Sequence, residues 1–98
     1  MNSTLTNIPE AYIQNVANFF DQLVPVASDD ELFASGYLRG HFDLVVGTLQ
    51  VAGDNFAKEQ VIEQVNTSLQ QAISQGELSE TDQATVQSIW QRVQQIAA

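Results

Sequence analysis

The strongest constraint on the fold lies between Ser28 and Gly53. Ser28-Asp29-Asp30-Glu31 is a capping box: the Ser28 hydroxyl can accept from the Glu31 amide while the Glu31 carboxylate reaches back to the Ser28 amide. Asp29 and Asp30 complete the first turn, where negative charge meets the positive end of the helix dipole. The helical pattern then runs without proline to Ala52 and stops at Gly53-Asp54. The predicted helix, residues 29–52, is about 36 Å long at about 1.5 Å per residue.

Clear punctuation separates three more helices, and no segment alternates with the period of two that a strand requires. The first helix is expected over 9–24, with Pro9 in its first turn, Tyr12, Ile13, Val16, Phe19, Phe20 and Leu23 on one face, and Pro25 ending it. The third covers 55–75, with Val61, Ile62, Val65, Leu69, Ala72 and Ile73 inward and Gly76 positioned as a left-handed cap. The fourth covers 80–97, opened by Ser79 to Asp82 and burying Val86, Ile89, Trp90, Val93 and Ala97. Short connections make sequential helices antiparallel neighbours. The expected fold is all-α: a compact four-helix antiparallel bundle with a long, largely buried second helix, forming a single domain over 1–98.

The second helix is unusual when plotted at about 100° per residue. Phe33, Gly40, Leu44, Gly47 and Val51 share one side, and Leu38, Phe42, Val45 and Leu49 cover another. Only Ser35, Arg39, Asp43 and Gln50 remain as a polar stripe, with Arg39 and Asp43 spaced for an i,i+4 ion pair. A helix apolar nearly all round is normally surrounded. Either the other three helices drape around it, or another chain covers part of it. Gly36, Gly40 and Gly47 lie along one edge, each costing about 1 kcal/mol relative to alanine. Close approach of a neighbouring helix of the same chain is the favoured reason. The alternative is a groove that accepts a partner helix or a small ligand.

Charge excludes several functions. Three Lys and Arg against twelve Asp and Glu give a net charge of -9, and three cations cannot form the basic stripe that nucleic acid or an anionic membrane surface requires. Much of the acidity has local work, since Asp29, Asp30 and Glu31 cap one helix while Glu77, Glu80 and Asp82 gather at the start of another. That clustering does not suit mimicry of evenly spaced phosphates. With no cysteine there is no disulfide, thiolate nucleophile or zinc knuckle. No secretory signal is expected, because Met1 to Glu10 carries no Lys or Arg and no apolar run.

No catalytic, metal or cofactor constellation emerges. His41 is the only histidine; it stands one turn after Tyr37, and no Asp or Glu lies three or four residues from it. Its expected role is a half-buried ring bonded to backbone or to tyrosine, with ligand contact or pH sensing as the alternative. Glu59 and Glu63 lack the Glu-x-x-His partners of a di-iron bundle. Ser35, Ser68 and Ser88 have no G-x-S-x-G context. The aspartates of the second helix lack the spacing of a calcium loop.

The run Ala27-Ser28-Asp29-Asp30-Glu31-Leu32-Phe33-Ala34-Ser35-Gly36-Tyr37-Leu38-Arg39-Gly40-His41 closely resembles the signature segment of the YfcL family. Gly76-Glu77-Leu78-Ser79 and Asp82-Gln83-Ala84 resemble a later part of the same pattern, so the likeness extends from about Ala11 onward. What the resemblance implies is a small cytoplasmic helical bacterial protein, with no catalytic residues to carry over.

The residues thus lead to a non-enzymatic protein-interaction module, partnered by another protein or by itself as a homodimer. The candidate surface is Gly36, Tyr37, Arg39, Gly40, His41 and Gly47. The alternative is a small-ligand domain with a pocket near Tyr37, Arg39 and His41, in which Arg39 would hold an anion. Arg39 and His41 differ by about 160° around the helix, so such a pocket would have to wrap it.

Overall fold

The computed structural model describes residues 8–97; residues 1–7, on which most of the N-terminal signal reading rests, and residue 98 lie outside the described residues. The helices are α1 (Glu10–Leu23), α2 (Asp29–Ala52), α3 (Lys58–Ser74) and α4 (Glu80–Gln94), with a 3₁₀ turn at Val24–Val26. Among the described residues there is no strand. The all-α four-helix architecture expected from periodicity is what the chain adopts.

The caps form as the residue types require. The Ser28 hydroxyl accepts from the Glu31 amide at 3.2 Å, and the Ser28 amide donates to the Glu31 carboxylate at 2.9 Å. Gly53 closes α2 at φ 81°. Gly76 adopts φ 76° after α3, its amide donating to the Ile73 carbonyl and that of Glu77 to the Ala72 carbonyl. This is a Schellman motif. A side chain at either glycine would strain the left-handed backbone.

Two helix ends differ from the expected ones by three residues, and tertiary contacts explain both; the others differ by at most one. The third helix begins at Lys58, not residue 55, because Phe56 turns into the core and is 6% exposed. The Gln60 side chain then accepts from the Ala57 amide at 2.9 Å. The fourth ends at Gln94, not residue 97. There the Ile96 carbonyl accepts from Lys58 Nζ at 2.7 Å and the Ala97 carbonyl from the Asn15 amide group at 3.1 Å.

All four helices contribute to one core: Tyr12, Val16 and Phe20 from α1, Leu38 and Phe42 from one of the two apolar sides of α2, Val61, Val65 and Leu69 from α3, and Val86, Ile89, Trp90 and Val93 from α4, whereas Ala97, expected in that last face, is exposed. Removing such side chains from water is the main stabilising force. The two polar groups among the largest buried residues are satisfied. Tyr12 donates its hydroxyl to the Val93 carbonyl at 3.0 Å, and the Trp90 indole donates to Asn66 at 2.6 Å.

The three cations fasten α1 to the rest. Arg39 of α2 lies 5.6 Å from the centre of the Phe20 ring, Lys58 of α3 4.8 Å from that of Tyr12, and Arg92 of α4 5.0 Å from that of Phe19. Each ring belongs to α1, so every lysine and arginine in the sequence serves this helix. Such contacts are electrostatic attraction between a cation and the ring face.

Burial of α2 is less extensive than its composition suggests. It packs chiefly on α3 and α4, and the residues it buries are Ala34, Ser35, Leu38, Phe42, Val45 and Val46. The expectation of a largely buried second helix is therefore corrected. The molecule measures 49 × 30 × 18 Å, and its thinnest dimension admits only about two helix diameters. Three short helices in so thin a body do not encircle a fourth.

Candidate interaction face on the second helix

The outward side of α2 carries the apolar stripe singled out in the sequence. Phe33 is 51% exposed, Leu44 68% and Val51 89%. Between them Gly40 is exposed and Gly47 half-buried. A Cβ added at Gly36, Gly40 or Gly47 would meet nothing within 4 Å. The favoured reason for these glycines, close approach of a helix of the same chain, is thereby overturned. The small residues that α2 turns inward are Ala34 and Ser35, which is buried although the wheel put it on the polar stripe. The glycines leave bare backbone on an outer surface, at a cost of about 1 kcal/mol each that no contact within the chain offsets.

The stripe has a helical logic. Phe33, Gly40 and Gly47 repeat every seven residues, as do Tyr37, Leu44 and Val51. The two series interleave at steps of four and three, which is the seam of a coiled coil: large residues at a positions, and Phe33 followed by two glycines at d positions. Along one flank, Leu44, Val45 and Thr48 form with Gln64, Thr67, Ser68 and Gln71 a shallow groove of about 340 Å³ between α2 and α3. Neither the seam nor this rim carries a charged residue.

Arg39 and His41 leave the helix on opposite sides. Arg39 donates to Asp21 of α1 at 3.0 Å and stands 3.9 Å from Asp43. The expected i,i+4 pair is thus the longer of two contacts, because Asp21 across the helix interface approaches closer. His41 faces α3, where its Nδ1 shares a hydrogen bond with the Ser68 hydroxyl. The Tyr37 and His41 ring centres are 4.8 Å apart, as their one-turn spacing implies. The partner of His41 is a serine on another helix, neither backbone nor tyrosine.

Tyr37 extends the contact between α2 and the loop before α4. Its hydroxyl donates to the Glu77 carboxylate at 2.7 Å. Desolvation, with the Glu77 bond and charge adding to it, pushes the Tyr37 pKa up to about 12. The structure therefore brings Tyr37 and His41 together and sends Arg39 elsewhere. No group of three or more His, Asp or Glu side chains suited to a metal ion occurs among the described residues. Sequence reasoning missed Asp21, Ser68 and Glu77 as partners of these side chains, since only spacing within one helix was visible to it.

These features define a small helical-bundle protein with an exposed apolar face on its longest helix. The chain belongs to the YfcL family, whose model, described as YfcL protein, matches residues 10–95. It is 49% identical over 78 residues to the uncharacterized protein YfcL of Escherichia coli (strain K12), a match covering 80% of this chain and 84% of that protein. No solved structure matches the chain significantly.

Proposed function

We propose that this chain is a non-enzymatic protein-interaction module that docks through the outer face of α2. The observation that carries this reading is the uncharged seam from Phe33 to Val51, with Phe33, Gly40, Leu44 and Val51 exposed on a chain of net charge -9 and glycines in it that no contact within the chain requires. An apolar core ringed by neutral polar groups is the usual anatomy of a protein interface. No helix among the described residues is long and apolar enough to cross a membrane. On this reading the module acts in the cytoplasm.

Leu44→Asp combined with Val51→Asp tests the role of the face, because both side chains are more exposed than buried and their replacement leaves the core intact. The wild-type chain is expected either to self-associate by light scattering or to retain a protein from bacterial lysate. The double variant should lose that behaviour while keeping its helical circular dichroism. A monomer that retains nothing, or a variant that behaves as wild type, refutes the reading.

A further inference from the structure

We infer that the occupant of the α2 face is a second copy of this chain, with the two α2 helices antiparallel across a two-fold axis. The inference rests on the docking reading above and names its partner. Antiparallel coiled coils pair a positions with d positions, and in one register Phe33 meets Val51 of the second copy, Tyr37 meets its Gly47 and Leu44 meets its Gly40. Two-fold symmetry repeats each pairing in the opposite sense. Both central glycines thus receive a large side chain, and the two ends pair Phe33 with Val51. A parallel pairing would instead oppose Leu44 to Leu44 and glycine to glycine, leaving alternate bulges and holes.

Charge and area limit the strength of this pairing. In a chain of twelve acidic residues the seam carries none, so two like-charged copies can approach along it. Asp43 and its counterpart face each other beside the two-fold axis, a like-charge contact that the Arg39 of each copy, 3.9 Å from its own Asp43, offsets only in part. Bare backbone at Gly40 and Gly47 permits an interaxial distance near the lower limit of helix packing, about 8 Å. The seam from Phe33 to Val51 is about 27 Å long, and at about 10 Å wide it covers well under the roughly 800 Å² per partner of a stable specific interface. The dimer should therefore be weak and concentration-dependent.

The absence of native cysteine makes the register directly readable. Wild-type protein in light scattering and sedimentation from about 10 μM to about 1 mM should rise from 10.8 kDa toward twice that mass. A mixture of Phe33→Cys and Val51→Cys chains, oxidised mildly, should give the mixed disulfide at least about tenfold more readily than either variant alone. Both sites are at least half exposed, so the variants keep the core intact. A mass of one chain throughout that range overturns the inference, as does self-linking of Val51→Cys in preference to the mixture. If the wild type stays monomeric but captures another protein that Leu44→Asp with Val51→Asp releases, self-docking falls and the docking reading stands. If it stays monomeric and captures nothing, both fall.

Discussion

The Arg39 guanidinium and the Asp21 carboxylate join α2 to α1 at 3.0 Å, with Asp43 held at 3.9 Å on the other side of the same cation. Their side chains are 36% and 67% exposed, so solvent screens the pair. Asp21→Asn should cost no more than about 0.2–1 kcal/mol. Asp43→Asn should cost less, since its contact is longer. Arg39→Ala should exceed both, because it also removes a cation from the Phe20 ring face. Urea midpoints of the three variants at moderate salt check this order.

Tyr12 supplies a test of the core. Its hydroxyl reaches the Val93 carbonyl from a wholly buried ring, so Tyr12→Phe should lower stability by about 1 kcal/mol. Burial moves its pKa from 10.0 to about 12, and Tyr37 shifts in the same direction to about 12. A raised value in the folded state means that the stability is complete below the ordinary tyrosine range and is lost as pH climbs through it. The midpoint of urea unfolding should therefore fall between pH 10 and pH 12. Tyr12→Phe with Tyr37→Phe should flatten that fall.

The cap of α2 predicts the opposite pH response. Hydrogen bonds from the Ser28 backbone and side chain lower the Glu31 pKa below its ordinary 4.5. A lowered value contributes stability above the ordinary carboxylate range, and this is lost as pH falls through the shifted value. Ser28→Ala should cost about 1 kcal/mol at neutral pH. Because it also removes the side-chain bond while the backbone bond, the larger of the two that lower Glu31, stays, the acid-limb slope of thermal melts should be slightly shallower in the variant.

The five glycines divide into two groups with opposite expectations. Gly40→Ala and Gly47→Ala place a methyl in open space on a helix, and each should raise the stability of the single chain by about 1 kcal/mol. Gly53→Ala and Gly76→Ala must adopt φ near 81° and 76°, and each should lower it by about 1–2 kcal/mol. Denaturant titration at low protein concentration, where association contributes nothing, separates the two groups.

Features governed by contacts within one turn were legible in the sequence. The Ser28 box, the glycine caps at Gly53 and Gly76 and the inward faces of α1, α3 and α4 depend on neighbours three or four residues away. So does the contact between the Tyr37 and His41 rings. The seam from Phe33 to Val51 was visible as a pattern, but periodicity alone does not state which of two apolar sides faces the core.

The amino-acid order by itself determined four helices, their lengths to within a few residues and the existence of an over-apolar second helix, because these follow from local backbone geometry and side-chain spacing. Tertiary structure alone decided that α2 turns Phe42 inward and Leu44 outward, that Arg39 takes Asp21 before Asp43, and that Gly40 faces solvent with Gly47 half-buried beside it. Those outcomes depend on how three other helices share one core. An 18 Å thick body covers one side of its longest helix and leaves the other open.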